Sequence, residues 1–148
     1  MVRPATLADV VRVCQTMWDR GREELSYLVS PEDWLAGWKK RVDRGDALAF
    51  GDHAILGCDW ESEDVINTSF QACKSFELPG VGRQVTKEMR KAIPLLMKEH
   101  GIRMACVYSL CVDPSAPKWF QLLGFEEDTN YQGLQFGPYK SRRFVRRT

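Results

Sequence analysis

Two stretches decide the fold of this chain: Phe76-Glu77-Leu78-Pro79-Gly80-Val81-Gly82-Arg83 and Asp113-Pro114-Ser115-Ala116-Pro117-Lys118-Trp119-Phe120-Gln121-Leu122-Leu123-Gly124-Phe125. In the first, two glycines immediately precede a helical pattern. Glycine has no Cβ, so the backbone there approaches a ligand closely. The first N–H groups of a helix lack partners within it and lie at the positive end of its dipole. The stretch therefore predicts an anion site, suited to a pyrophosphate, at a helix start.

The segment after the glycines predicts a long helix over residues 83–100, ended by Gly101. Its apolar residues recur at helical spacing, which is typical of a helix packed on a core. Pro94 lies in its interior, where proline removes one hydrogen bond and costs about 3 kcal/mol. We therefore expect a bend or a break near Arg90.

Strands are predicted on both sides of this helix. Before it, polar and apolar residues alternate over residues 65–76, and after it residues 104–112 form a nearly continuous apolar run. Alternation is typical of a strand, and a continuous run is typical of a strand covered on both faces. The second quoted stretch then supplies a helix over about residues 115–123, ended by Gly124.

The remaining elements follow from caps and turns. Thr6 with Asp9 starts a first helix, and Ser30-Pro31 starts a second, which ends near Arg44-Gly45. The element order is β-α-α-β-β-β-α-β-α-β-β, which predicts an α/β (α+β) fold with a mixed, mostly antiparallel sheet of about six to seven strands flanked by about four helices. The other predicted strands are residues 2–6, 47–50, 53–60, 126–131 and 134–140.

Length and charge predict one domain with a basic end. The chain has 148 residues, with 21 basic and 20 acidic side chains. We expect a single domain over residues 1–140 and a basic tail over residues 141–148. Such a tail is either a solvated, partly disordered end or a segment that docks on an acidic partner or a nucleic acid backbone.

Cysteine and histidine usage predicts reduced thiols and no metal site. The five cysteines contain no C-x-x-C pair, which suits a cytoplasmic protein, and the two histidines lie in different segments. The N-terminus has no apolar h-region, and no apolar run approaches the roughly 18 residues that span a bilayer. We therefore expect no membrane partner and no export by an ordinary signal.

The second stretch carries a family resemblance. Asp113, Ala116, Phe120, Gly124 and Phe125 follow the spacing N-x-x-A-x-x-x-Y-x-x-x-G-F, which resembles a signature of the GNAT superfamily of N-acetyltransferases. The glycine loop is similar to the pattern Q/R-x-x-G-x-G/A of that superfamily but has an acidic residue, Glu77, at its first position.

The resemblance implies that acetyl-CoA (coenzyme A) is the cofactor and that its pantetheine arm lies where the strands at 65–76 and 104–112 splay apart. It also implies that the acceptor is a primary amine of a small molecule or a protein. The implied cofactor-binding residues are Leu78, Gly80, Val81, Gly82, Arg83, Gln84, Asp113, Ala116 and Phe120.

The catalytic groups are less defined by the resemblance. Phe120 stands where many members of the superfamily have a tyrosine that protonates the leaving thiolate, and phenylalanine has no proton to give. Tyr108 is the candidate replacement, with Tyr131 as an alternative. The candidate bases are Glu61 and Asp64, in the acidic loop before the strand at residues 65–76.

A second hypothesis stays open beside the enzyme. Glu77, Phe120 and Pro94 together favour a catalytically impaired protein of the same fold that acts as a binding or assembly module. Residues 78–136 resemble, in general layout, short degenerate members from short-tailed bacteriophages, some of them virion-associated. The sequence leaves the oligomeric state open, a homo-oligomer included.

Overall fold

The protein consists of a central β-sheet with helices packed on both of its faces. The computed structural model describes residues 1–148. The elements are β1 (Val2–Pro4), α1 (Leu7–Thr16), α2 (Asp19–Leu28), α3 (Pro31–Arg44), β2 (Ala47–Phe50), β3 (Ala54–Trp60), β4 (Val65–Ala72), a 3-10 turn (Lys74–Glu77), α4 (Val81–Glu99), β5 (Met104–Ser109), α5 (Ala116–Leu122), β6 (Glu126–Glu127), β7 (Gln135–Phe136), β8 (Tyr139–Lys140) and β9 (Arg142–Arg147).

One seven-stranded sheet organises the molecule, in the order β1-β2-β3-β4-β5-β9-β6. Every neighbouring pair is antiparallel except β4 and β5, which are parallel. β7 and β8 form a separate hairpin. The predicted mixed, mostly antiparallel α/β sheet is confirmed.

The two faces of the sheet bury two separate cores. On β2, Ala47 and Ala49 face one core and Phe50 faces the other, as the period of two in a strand requires. The first core lies under α1 and α3 and is centred on Trp38. The second lies under α4 and α5 and contains, among others, Val85, Met89, Ile93, Met97, Phe120, Leu123 and Phe144.

Capping residues fix the N-terminal helices as the sequence predicted. Thr6 and Asp9 form a reciprocal capping box at α1, and the Ser30 hydroxyl accepts a hydrogen bond from the Asp33 amide at α3. Gly45 ends α3 in the left-handed conformation, with φ of 77°.

Pro94 does not break α4, so the predicted break near Arg90 is absent. The helix runs without interruption from Val81 to Glu99. Pro94 and Arg90 both lie on its exposed face, so the carbonyl that loses its hydrogen-bond donor is open to water. The expected cost is reduced for that reason.

Helix α2 was not predicted from the sequence, so the helices number five rather than about four. Its composition is mostly polar, and Gly21 is its only buried residue. A helix without an apolar stripe carries no periodic signal. It is attached to the sheet where the Trp18 amide donates to the Ala72 carbonyl at 3.1 Å.

The structure also differs from the prediction of a basic tail at residues 141–148. Residues 142–147 form β9, which pairs along the whole of β5, and Phe144 and Val145 are buried. The prediction of a solvated, partly disordered end is therefore wrong. The cause is that apolar side chains at two positions anchor a strand whose other residues are mostly arginines.

These arginines bind groups within the chain. Arg142 forms a two-point ion pair with Glu127, Arg143 binds Asp128 at 2.7 Å, and Arg146 donates to the Leu123 carbonyl. Their charges are partly neutralised there, so the segment offers less free positive charge to a nucleic acid than its composition indicates.

None of the helices combines the length and the apolar character that are needed to cross a bilayer.

A chain that ends at residue 141 should not fold. Its loss of β9 would leave the edge of β5 unpaired and would remove Phe144, whose loss alone should cost about 3–5 kcal/mol against a total stability of about 5–15 kcal/mol. Near-UV circular dichroism and thermal unfolding test this. A chain lacking only Thr148 is the control, and a cooperative transition in the longer truncation would contradict the assignment of β9.

A buried carboxylate at the start of α1 should make stability depend on pH. Asp9 is 1% exposed and binds Arg3 through two bonds of 2.6 and 2.7 Å and Arg12 at 2.9 Å. The hydrogen bonds from Arg3, together with those from Thr6 and Arg12, lower the pKa of Asp9 against the opposing effect of burial.

Asp9→Asn should therefore lower the free energy of unfolding at pH 7 by about 3 kcal/mol. Since the native pKa is depressed, this contribution is present above the unfolded value of about 3.9 and is lost as pH falls below it, so the difference from wild type should shrink below about pH 4. Urea unfolding at pH 7 and pH 3 measures it. Asp52→Asn, which removes an exposed carboxylate facing the same arginines, should change stability by less than about 1 kcal/mol at either pH.

Candidate active site

The parallel pair β4 and β5 separates after three residue pairs. Val65, Ile66 and Asn67 pair with Met104, Ala105 and Cys106, and no pairing follows. The Thr68 hydroxyl donates to the Cys106 carbonyl at 3.0 Å, where the gap opens. Beyond it β4 stays paired to β3 as far as Ala72, so only its β5 side is free. The predicted splay of these two strands is present.

A cleft of about 260 Å³ occupies this gap. Its walls come from α2, the unpaired part of β4, the end of β5, the loop that follows β5, and α5. Unpaired backbone groups of a strand edge are available to an extended ligand, which binds there as an added strand would. The cleft is therefore suited to a ligand with amide groups along an extended chain.

The glycine loop starts α4 beside this cleft. Gly80 has φ of 81°, which favours glycine, and no atom lies within 4 Å of the position a Cβ would take. The Val81 amide donates to the Leu78 carbonyl and the Gln84 amide to the Gly80 carbonyl, whereas the amides of Gly80, Gly82 and Arg83 donate to no protein acceptor. This helix start thus presents three free N–H groups at the positive end of a 19-residue helix.

Close packing ties the loop to the cleft. A Cβ on Gly82 would lie 3.1 Å from the Phe76 carbonyl oxygen, and the Phe76 side chain lines the cleft. On the opposite wall the Trp119 indole donates to the Thr86 hydroxyl at 2.9 Å, which fixes α5 against the first turns of α4. The free amides and the strand gap therefore adjoin.

The structure brings the predicted residues of the second stretch into the cleft wall. Asp113, Ala116 and Phe120 all line it. The Asp113 carboxylate binds Arg20 of α2 at 2.6 Å and also the Ser115 amide and hydroxyl. Although burial opposes it, these hydrogen bonds and the Arg20 charge lower the pKa of Asp113. The ionised carboxylate of Asp113 and Arg20 thus form an ion pair at one side of the cleft.

The backbone conformation and the packing at residue 124 explain why the same stretch has a glycine there. The φ of Gly124 is 90°, which residues with a side chain rarely adopt, and a Cβ there would overlap Nη1 of Arg146. That guanidinium donates to the adjacent Leu123 carbonyl at 3.0 Å. Any side chain at residue 124 would displace the arginine of β9 from the end of α5.

Phe120 is part of the second core rather than an exposed group. It is 8% exposed, and its ring packs 4.7 Å from that of Phe144. Tyr108, by contrast, lines the cleft and is 42% exposed, and its hydroxyl accepts a hydrogen bond from Nε of Arg143 at 3.2 Å. The hydroxyl of Tyr131 is instead bound to Ser141. Tyr108 is the predicted proton donor that the fold places at the cleft.

Glu61 and Asp64 are not at the cleft. They precede β4, at the end where it is paired with β5, whereas the gap opens at the other end. Glu61 accepts from the Asn67 amide group, and Asp64 forms an ion pair with Arg103 at 3.0 Å. The structure therefore does not bring these two candidate bases to the gap.

Glu24 of α2 lies in the cleft, and sequence reasoning missed it. Its carboxylate is half-buried and accepts a hydrogen bond from the hydroxyl of Ser109 at 3.2 Å. Burial raises the pKa of Glu24, and the hydrogen bond from Ser109 opposes that rise only in part. A carboxylate that is easier to protonate than usual, at the end of β5, is a candidate general base. Only recognition of α2 as a helix would have revealed it.

No protein-family model matches the sequence, and neither does any curated protein. Many solved structures match the fold.

Acetyltransferases are among them, including the following three. The GNAT domain of PAT from S. lividans superposes with a TM-score of 0.70 and 17% identity over 99% of this chain and 89% of that one. PaiA N-acetyltransferase from Thermoplasma acidophilum, solved with coenzyme A, superposes with a TM-score of 0.67 and 11% identity over 100% of this chain and 98% of that one. The phosphinothricin acetyltransferase of Sinorhizobium meliloti, solved with acetyl-CoA, superposes with a TM-score of 0.63 and 13% identity over 99% of this chain and 87% of that one. The sheet order, the gap between β4 and β5 and these superpositions together show that this chain has the GNAT fold.

Proposed function

We propose that this protein is an acetyl-CoA-dependent N-acetyltransferase that transfers an acetyl group to a primary amine of a small molecule or a protein. The observation that carries the proposal is the pairing of β4 with β5, which stops after three residue pairs beside a helix start with three free amides. Solved structures of the same fold that contain coenzyme A or acetyl-CoA support it.

The residues present fit the cofactor. The amides of Gly80, Gly82 and Arg83 would hold the pyrophosphate, with Leu78, Val81 and Gln84 shaping the loop around it. The pantetheine arm would lie along the free side of β4, against Asp113, Ala116 and Phe120. The carboxylate of Glu77 is exposed and belongs to the 3-10 turn before the loop, so it is solvated and its repulsion of a phosphate is screened.

Glu24 supplies the base in this proposal. When bound, acetyl-CoA supplies an activated acetyl thioester for attack by a neutral amine. An amine enters as an ammonium ion, which the negative charge of Glu24 attracts, and the raised pKa of this carboxylate suits it to accept the proton. Ser109, which is 7% exposed, holds the carboxylate through its hydroxyl.

Tyr108 is the proposed proton source for the leaving thiol. Its side chain lines the cleft, and its hydroxyl accepts a hydrogen bond from Arg143 of β9.

A second function has one specific observation in its favour. Phe120 fills the position of the usual acid with a core side chain, and a chain with no effective acid would keep the fold while acting as a binding or assembly module.

Titration with acetyl-CoA separates the two functions. The enzyme hypothesis expects a Kd on the order of micromolar by calorimetry, followed by release of free thiol in a screen of amine acceptors. The absence of heat up to millimolar acetyl-CoA would overturn it and favour the binding module.

Reversing a charge at the helix start should weaken cofactor binding. Arg83→Glu places a carboxylate beside the proposed pyrophosphate and should raise the Kd for acetyl-CoA on the order of 10-fold at low salt, with a smaller effect at 1 M salt. The matched control is Arg90→Glu, an identical change on the exposed side of the same helix two turns further on. Equal weakening by both variants would mean that the anion does not lie at the loop.

Removal of the proposed base should change the pH profile. Glu24→Gln should lower kcat about 10²- to 10⁴-fold, since the neutral amide accepts no proton. In the wild type, kcat should fall as pH drops through a pKa above the usual glutamate value of about 4.3, and the variant should lose this limb. Glu23→Gln, on the exposed side of α2, is the control. A Glu24→Gln enzyme with the wild-type rate and profile would exclude Glu24 as the base.

A further inference from the structure

A second cavity lies behind the cleft, between α4 and the sheet. It measures about 160 Å³. Its lining is mostly apolar and comes from β2 and β3, from β4 and β5, from the inner side of α4 and from α5, with Asp46, Thr68 and His100 as polar members. The lining residues that the cavity does not share with the cleft include Ile66 and Ala105, which are register partners on β4 and β5, and Leu96 and Met97 of α4.

The cavity and the cleft share a wall. Five residues line both: Thr68, Phe70, Val107, Trp119 and Phe120. Only side chains therefore separate the two spaces, and they stand where β4 and β5 diverge. Four of the five are apolar, and the ring of Phe120 occupies the position where a tyrosine would bring a hydroxyl.

We propose that this cavity receives the acyl chain of the donor, so that the protein binds acyl-CoA thioesters of about six carbons in preference to acetyl-CoA. This inference rests on the proposed function, because it places the thioester at the divergence of the two strands. From that point the cavity is the adjoining space with a mostly apolar lining, and it offers contacts to an apolar tail.

Size and polarity define the occupant. An apolar cavity of about 150 Å³ holds a six-carbon ligand such as benzene, so the space here matches the tail of a hexanoyl group. A polar acyl group would lose its hydration without gaining a partner there. Each methylene buried on going from acetyl to hexanoyl adds affinity, and the four together should lower the Kd on the order of 10- to 100-fold after the wall side chains move aside.

Calorimetry with a chain-length series tests this directly. We expect the Kd to fall from acetyl-CoA through butanoyl-CoA to hexanoyl-CoA. A Kd that stays constant or rises with chain length would overturn the inference while leaving the proposed function intact. Absence of binding by every thioester would instead overturn the proposed function itself.

A matched pair of variants locates the chain. Leu96→Trp enlarges a half-buried side chain that lines the cavity, and Leu95→Trp makes the same change at a neighbour that is 67% exposed. The first should abolish the advantage of hexanoyl-CoA and leave the Kd for acetyl-CoA unchanged, and the second should change neither. Ala105→Leu, on β5, fills the same space from the opposite side and should reproduce the first result. Retention of the hexanoyl preference in folded Leu96→Trp and Ala105→Leu proteins would show that the chain lies elsewhere.

Discussion

The backbone of β4 beyond Asn67 sets the main constraint in this molecule, because one side of it has no strand to pair with. Buried backbone N–H and C=O groups need partners, and a strand edge left open inside a sheet is costly unless water or a ligand reaches it. Here the cleft keeps that edge accessible. The glycine loop follows the same strand, so the free edge and the free helix amides lie one after the other along the chain, as the proposed binding of an extended, phosphate-bearing ligand requires.

Because β5 separates from β4 on one side, it has to be held by the strand on its other side. β9 does this by pairing with all six residues of β5 and by burying Phe144 against Phe120 of α5. Its arginines also reach the site, since Arg143 holds the Tyr108 hydroxyl. The last strand of the chain therefore supports both the geometry of the gap and a proposed catalytic group, although the reacting ligand would not touch it.

The sequence predicted the elements whose signals are local. Gly80, Gly82 and the helix after them were found because glycine and helical periodicity act over a few residues. The gap itself followed only from the family resemblance. Helix α2 and β9 were missed because their stability comes from tertiary contacts: α2 buries only Gly21, and β9 hides its two apolar anchors among arginines that are paired elsewhere. Glu24 was missed with α2, while Glu61 and Asp64 were chosen by closeness to β4 along the chain, which did not reveal at which end the strands part.

Gly124 shows what a signature match does and does not report. The φ of 90° at this residue is strained for any residue with a side chain, so the backbone conformation alone favours glycine there, and the guanidinium of Arg146 fills the space that results. A descendant that had lost all transferase chemistry would still be under selection to keep it. Of the five signature positions, this one therefore reports the fold and not the chemistry. Evidence that catalysis was lost or kept has to come from positions that the fold does not constrain.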